Sequence, residues 1–374
     1  MRIVLTGGGT GGHFYPILAV AHELRNIAAA ERVVDLSLFY FGSRPIHPEL
    51  LAGDSIQYRR VAAGKVRNYS SPRNILDVFF TAFGILQAVG KMLVVMPDVV
   101  FAKGGYDSFP TLVAARLFRI PVIIHESDAV PGRVNRWAGK WAVRVAVAYP
   151  AAGKFFPERK VALTGIPIRS GLLGGTREPA AEFFAVYSER PVVFITGGSQ
   201  GAKIINRAVV EILARILEKF EVIHQVGEAH FEDLRLETAP ILKEGGGERY
   251  YHMVASLNEE EMRGAYLLAD IIVSRAGSTI FEIAAWGKPA IVVPLAIAAQ
   301  DHQRANAYAY AASGAALVIE EANLTPSLLL HEIMSIAEHP ERRASMAEAA
   351  KAFARIDAAL VIAKEVFRIG THEP

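Results

Sequence analysis

One local pattern occurs twice in this chain and constrains its fold more than any other feature. Met1-Arg2-Ile3-Val4-Leu5-Thr6 runs into Gly7-Gly8-Gly9, and apolar spacing over Tyr15–Asn26 then predicts a helix. About 190 residues later Pro191-Val192-Val193-Phe194-Ile195-Thr196 runs into Gly197-Gly198-Ser199-Gln200-Gly201 and a helix through Asn206 and Glu211. Strand, threonine, glycine cluster and helix, repeated at that distance, read as two similar nucleotide-fold domains and not one long sheet. The length of 374 residues agrees, because ordinary domains run to about 100–200 residues. Short β-branched runs at Ile3–Thr6, Ser37–Phe41, Val99–Ala102, Val122–His125 and Val145–Ala148 alternate with helical stretches, which predicts an α/β fold with mainly parallel sheets. Glycine and proline in Thr164-Gly165-Ile166-Pro167 place the boundary there, giving domains over 1–164 and 165–352, with Gly171–Ala181 read as a loop.

Composition narrows the function classes. Forty basic against thirty-eight acidic side chains give a net charge of +2, so no strong field points to a nucleic-acid partner. A hydrophobic content of 52% allows two large cores and excludes disorder as the main theme. With no cysteine, disulfides, thiolate zinc sites, iron–sulfur clusters and a Cys nucleophile are excluded together. The first residues read as a strand and not as a signal peptide. The apolar uncharged stretch Val78–Gly90 has 13 residues, against about 20 for a bilayer-spanning helix. A cytoplasmic location is expected, with the membrane surface left open.

Gly7, Gly9 and Gly12 satisfy G-x-G-x-x-G between a strand and a helix. Such a turn lets backbone approach a ligand and aims the N–H groups of a helix start at a phosphate. A dinucleotide fold also needs an acid at the end of the second strand to hold a ribose. Here that strand ends Phe41-Gly42-Ser43-Arg44. Arg44 would suit a 2′-phosphate, so an NADP oxidoreductase is one rival. Two further turns, Gly197–Gly201 and Ser274-Arg275-Ala276-Gly277-Ser278-Thr279, favour two phosphate-bearing ligands or one shared between domains. The last turn lies between a strand over Asp270–Val273 and a helix over Ile280–Trp286. Thr279-x-x-Glu282 reads either as a capping box or as a carboxylate for the ribose hydroxyls of a nucleotide. His13 reads either as a structural hydrogen-bonder or as a general base near neutrality. His125 and Glu126, adjacent on a strand, point opposite ways and make a poor metal pair. No D-x-D pair occurs, and neither a metal nor any other cofactor is implied.

Taken together the motifs resemble the MurG family of N-acetylglucosaminyltransferases. The resemblance runs through Gly8-Gly9-Thr10-Gly11-Gly12-His13 with Pro16, Gly104-Gly105-Tyr106, His125-Glu126 with Pro131-Gly132 and Asn135, and Gly165-x-Pro167-x-Arg169. It continues through Gly197-Gly198-Ser199-Gln200-Gly201-Ala202, Ser274-Arg275-Ala276-Gly277, Glu282, Gly287-x-Pro289 and Asp301-His302-Gln303 with Asn306. It implies two Rossmann-like domains facing a cleft, the GT-B glycosyltransferase architecture, with a C-terminal helix over about 353–374 returning to the N-terminal domain. It implies inverting, metal-independent transfer of GlcNAc from UDP-GlcNAc to the 4-hydroxyl of a lipid-linked muramyl-pentapeptide acceptor. Ser199, Gln200, Ser278 and Thr279 would meet the donor diphosphate side, Glu282 the ribose, Arg169 the uridine, backbone near Met253 the uracil, and Gln303 with His302 the sugar. Thr10, Gly11 and Gly12 would cradle phosphate, and Asp128, with them among the donor-binding residues, would accept from a sugar hydroxyl. Gly9, Tyr106, His125 and Asn135 fall on the acceptor side, and His13 or Glu126 would take the acceptor's proton.

The chain departs from that family's pattern in four places. Ser127-Asp128 replace the usual Gln-Asn, and Asp107-Ser108-Phe109 stand where small residues are common. The Ser278-Thr279 turn is one residue shorter, and Leu295–Gln300 lacks the common polar and aromatic residues. Rival readings within the architecture are a glycolipid glycosyltransferase or a UDP-sugar epimerase. A non-catalytic nucleotide-sugar-binding partner is a third class.

Asn74–Leu93 is apolar nearly all round, which fits a buried helix. Lys65, Arg67, Arg73 and Lys91 flank it. With a lipid-linked acceptor implied, residues 65–93 are expected to attach the protein peripherally to an anionic membrane surface, at the cytoplasmic face of the plasma membrane.

Overall fold

The computed structural model describes the chain apart from residues 9–10, 46, 65–72, 199–200, 297–300 and 373–374 and the side chains of 73–75. It divides into two compact units, Met1–Arg169 with Arg355–Pro374, and Ser170–Ala354.

The first unit contains β1 (Arg2–Thr6), α1 (Gly11–Ala30), β2 (Ser37–Gly42), α2 (Pro48–Gly53), β3 (Gln57–Arg60), α3 (Arg73–Val95) and β4 (Val99–Ala102). It continues with α4 (Phe109–Leu117), β5 (Val122–Glu126), α5 (Arg133–Ala138), β6 (Arg144–Val147), α6 (Pro150–Gly153) and β7 (Val161–Leu163). The strands form one parallel sheet in the order β3-β2-β1-β4-β5-β6-β7. Because side chains alternate along a strand, Ile3 and Leu5 pack with Phe14, Ile17 and Leu24 of α1 on one face. Val4 packs with Phe41, Val100 and Leu112 on the other. Burial on both faces is why these strands read as unbroken apolar runs.

The second unit holds α7 (Arg177–Phe184), β8 (Val192–Thr196), α8 (Lys203–Ile216), β9 (Glu221–Gln225), α9 (Phe231–Gly245), β10 (Tyr251–Val254) and α10 (Glu259–Leu268). It goes on through β11 (Ile271–Ser274), α11 (Thr279–Ala285), β12 (Ala290–Val292), α12 (His302–Ala311), β13 (Ala316–Val318), α13 (Pro326–Glu338) and α14 (Pro340–Phe353). Its sheet is also parallel, in the order β10-β9-β8-β11-β12-β13. The last helix, α15 (Ala358–Gly370), belongs to the first unit. It lays Ile362, Val366 and Phe367 into the cluster formed with α1, burial that contributes about 1.5–3 kcal/mol per side chain.

Both sheets reverse strand order beside their first strand, between β1 and β4 and between β8 and β11. Open α/β sheets bind ligands at such a point, outside the carboxyl ends of the strands. The two threonines of the repeat sit there and do different work. Thr6 Oγ1 donates to the Phe41 carbonyl at 2.8 Å, tying β1 to β2. Thr196 Oγ1 donates to Gln225 Oε1 at 2.7 Å and accepts the Gly198 amide at 3.0 Å, so it shapes the glycine turn itself.

Two expectations change. The predicted loop Gly171–Ala181 contains the start of α7, whose Pro179 occupies the third helical position, where the helix needs no N–H donor. The helix α3 is not buried all round. Ala88, Met92 and Val95 enter the core, while Leu76, Phe79, Phe80, Phe83, Leu86 and Leu93 are exposed. Leu76–Val95 is long and apolar enough to cross a membrane by length and composition; the 13-residue count stopped at Asp77 and Lys91.

Candidate functional site

In the first unit the candidate residues gather where β1, β4 and β5 end. Gly11 and Gly12 form the first turn of α1, which starts before the predicted Tyr15. Pro16 has no N–H, so the helix's own bond to the Gly12 carbonyl is not made. His13 is half-buried. A Cβ on Gly105 would lie in ordinary contact with the imidazole, 3.7 Å from His13 Nε2, so it is the φ of +78° and not lack of room that favours glycine there. Tyr106 follows, half-buried, its hydroxyl pKa raised by burial and by Asp107 and Asp77.

The turn after β5 is built around Glu126. Its Oε1 accepts the Asp128 amide at 3.0 Å, and its Oε2 accepts the Gly132 amide at 3.0 Å and Asn135 Nδ2 at 2.9 Å. Burial and the neighbouring Asp128 raise its pKa. A carboxylate so engaged fixes the turn, and Asp128 is left half-buried beyond it. His125 is wholly buried, and its Nε2 donates to the Gly165 carbonyl at 2.8 Å. Because a carbonyl only accepts, that bond assigns the proton to Nε2. Burial and Lys103 hold its pKa well below 6.5, so it is neutral. Asn135 is buried as well, with Nδ2 also donating to the His125 carbonyl at 3.0 Å. His125 and Asn135, expected on the acceptor side, are both buried here, tied to Gly165 and to the Glu126 turn by these bonds. Arg169, expected near the uridine, carries its guanidinium 3.9 Å from the Tyr15 ring centroid, within the first unit.

Two residues of this region are given no site role by the sequence reading. Lys103, wholly buried, donates from Nζ to Ser127 Oγ. Asp107, also buried, accepts the Ser43 amide at 3.0 Å, and burial raises its pKa. An acid thus stands at the end of β2 after all, supplied from 64 residues away.

In the second unit β11 leads through Arg275-Ala276-Gly277-Ser278 into α11. Ser278 is the N-cap and makes no side-chain cap bond, and the helix begins at Thr279. The Thr279–Glu282 capping box is therefore not formed, because Glu282 falls one position too late for it. Glu282 instead accepts from the Tyr266 hydroxyl at 2.6 Å, with Tyr266 itself wholly buried. Ser278, Thr279 and Glu282 are all half-buried at one end of α11.

Around them Asn306 Nδ2 donates to the Ala276 carbonyl at 3.2 Å. Arg275 reaches the Val293 carbonyl at 3.2 Å and Glu321 at 2.8 Å, and Glu321 also accepts the Ala296 amide at 2.8 Å. Gln303 Oε1 accepts the Leu295 amide at 3.0 Å, and His302 is half-buried at the start of α12. Met253 is half-buried in β10, and the next two carbonyls, of Val254 and Ala255, accept the Val226 and Gly227 amides at 3.0 Å. Gly9, Thr10, Ser199, Gln200, Lys65 and Arg67 lie outside the described residues, as does the side chain of Arg73. Among the described residues no group of three or more His, Asp and Glu lies together as metal ligands would.

The glycosyltransferase family 28 N-terminal domain matches residues 3–147, and the family's C-terminal domain matches residues 192–361. The chain is 35% identical to the UDP-N-acetylglucosamine–N-acetylmuramyl-(pentapeptide) pyrophosphoryl-undecaprenol N-acetylglucosamine transferase of Clostridium perfringens, over 91% of each protein. It is 32% identical to the enzyme of the same name from Desulforamulus reducens over 99% of each. The crystal structure of Acinetobacter baumannii MurG matches with a TM-score of 0.71 at 27% identity, covering 98% of both chains. With two Rossmann-like units, parallel sheets and both domain matches in order, the chain belongs to glycosyltransferase family 28, in its MurG branch, and has the GT-B architecture.

Proposed function

We propose that this protein transfers GlcNAc from UDP-GlcNAc to the 4-hydroxyl of the muramyl sugar in an undecaprenyl-pyrophosphoryl muramyl-pentapeptide, a step of peptidoglycan synthesis. The observation that carries this reading is the 35% identity over 91% of the chain to an enzyme so named. In the proposed reaction the acceptor oxygen attacks C1 of GlcNAc as the C1–O bond to the diphosphate breaks, with inversion, and UDP leaves. His13 takes the hydroxyl proton. Its place at the helix start, beside Gly105, supports that role. Glu126, with three N–H groups on its oxygens, serves as the shaper of the neighbouring turn and not as the base.

Glu282, held by Tyr266, receives the ribose hydroxyls, and Ser278 and Thr279 the diphosphate. The charge that develops on departing UDP is stabilised by backbone N–H groups at the glycine turns and helix starts. The lack of a D-x-D pair supports a departure without metal. The exposed apolar face of α3 supports peripheral attachment to an anionic membrane surface, the side on which a lipid-linked acceptor is presented.

The test is product analysis with the lipid-linked acceptor and UDP-GlcNAc, with and without a chelator. A β-linked disaccharide on the lipid, formed equally in both, is expected. No transfer overturns the reaction, and transfer abolished by chelation overturns the metal-free departure.

A further inference from the structure

Lys103 is the only lysine or arginine among the described residues that is buried. It stands at the end of β4, its amide donating to the Thr6 carbonyl at 2.8 Å, so its backbone lies against the first glycine turn. Its side chain crosses to the turn after β5 and ends on Ser127 Oγ. That turn carries two carboxylates, Glu126 buried and Asp128 half-buried. An ammonium buried without opposite charge is costly, and so is a pair of neighbouring carboxylates without a cation. Here each offsets the other: burial lowers the Lys103 pKa to about 8, while Glu126 and Asp128 raise it against that pull. The charge of Lys103 also reaches His125, which in turn feels His13.

We propose that Lys103 is a positioning residue for acceptor recognition, its buried ammonium holding the Glu126-Ser127-Asp128 turn so that the Asp128 carboxylate faces the acceptor sugar and not, as the sequence suggested, the donor. Lys103 touches no ligand itself; it acts through Ser127 and the two carboxylates. The acceptor carries a diphosphate, and a turn stripped of its counter-charge would repel that anion as well as lose its shape. The proposal rests on the functional reading above and adds to it a residue that binds neither substrate.

The experiment is a charge cycle with Lys103→Met, Asp128→Asn and both together, measured as kcat and as KM for each substrate. Lys103→Met is expected to raise the acceptor KM at least tenfold. Calorimetric affinity for UDP should stay within twofold, because Ser278, Thr279 and Glu282 lie in the other unit. Adding Asp128→Asn should recover most of the loss, since it removes the uncompensated charge while keeping a carbonyl acceptor. Ser127→Ala, which removes only the hydroxyl that Nζ meets, should raise the acceptor KM a few-fold and decides the matter if Lys103→Met does not fold. An unchanged acceptor KM in folded Lys103→Met or in Ser127→Ala overturns the proposal, as does a double variant worse than either single one. A wild-type protein that transfers no GlcNAc overturns the functional reading first; transfer with a flat cycle overturns only the role of Lys103.

Discussion

Replacing Phe79 and Phe83 with serine tests the proposed membrane attachment through the exposed face of α3, with a magnitude the structure supplies. The two residues are 68% and 56% exposed, so together they offer a little more than one whole phenylalanine to a bilayer. Burying that much apolar surface is worth about 2–3 kcal/mol, which corresponds to a 30- to 140-fold change in partitioning at about 1.4 kcal/mol per tenfold. The fold should be indifferent, because exposed substitutions usually shift stability by no more than about 0.5 kcal/mol. The helix is anchored by other residues, Ala88, Met92 and Val95. That buried stripe also decides between lying on a membrane and crossing it: a helix with one side in a protein core offers lipid only the other. The assay is flotation with anionic vesicles, alongside thermal melting. The expected outcome is a 30- to 140-fold weaker association at an unchanged melting temperature. Undiminished flotation of a normally melting Phe79→Ser/Phe83→Ser protein would refute the reasoning.

Two further predictions concern groups already placed. Tyr266→Phe removes the 2.6 Å hydroxyl bond to Glu282, a charge-assisted bond worth about 1.5–3 kcal/mol; UDP affinity by calorimetry should fall roughly 10- to 100-fold, and Glu282→Gln should fall too. Wild-type affinity in Glu282→Gln would remove that residue from the donor site. His224 is wholly buried between the Tyr251 hydroxyl at 2.9 Å and Asn206 Oδ1 at 3.1 Å, and burial pushes its pKa down to about 3. Its folded pKa lies below the ordinary 6.5, so the folded state binds fewer protons. The stability is then full above pH 6.5 and is lost as pH falls toward the folded value. Denaturant unfolding should show a loss of about 2 kcal/mol between pH 6.5 and 4.5 from this residue. A slope identical in His224→Gln would contradict the assignment.

Much of the fold was legible because it is written locally. Thr6 and Thr196 close apolar runs, glycines follow, and a helix periodicity begins; each step depends on neighbours in the chain. The strand β3, Gln57–Arg60, was not legible, since its four residues are all exposed and carry no apolar alternation. The edge strand β7 has only three residues. Glu282 shows the limit of spacing arguments. Thr-x-x-Glu is a capping signal only if Thr is the N-cap, and the helix start one residue earlier, at Ser278, turned the carboxylate to Tyr266. Asp107 meeting Ser43, and Lys103 meeting Ser127, are contacts between different strand ends. Sheet order creates them, and sheet order is not contained in any window of sequence. The apolar helix was legible as apolar but not as exposed, because exposure depends on what packs against the other elements.

The two copies of the repeat differ in what surrounds the glycine turn, and that difference bears on how the proposed reaction is divided between them. In the first unit the turn is ringed by ionisable groups: His13, Lys103, Asp107, His125, Glu126 and Asp128. Burial moves the pKa of four of these, Lys103 and His125 downward and Asp107 and Glu126 upward. Such a setting favours proton transfer, because burial moves Lys103, Asp107 and Glu126 toward the neutral range beside a half-buried imidazole. In the second unit Thr196 receives the Gly198 amide at one turn, and at the other Asn306 binds the Ala276 carbonyl while Arg275 is paired with Glu321, with Glu282 as the one carboxylate of α11. Amide dipoles do not titrate, so they hold an anion equally well across neutral pH, and against burial the hydrogen bonds from Ala296 and Arg275 hold the Glu321 pKa below its ordinary value. Proton removal therefore fits the first unit and leaving-group binding the second, and exchanging the two roles would place the departing diphosphate among carboxylates.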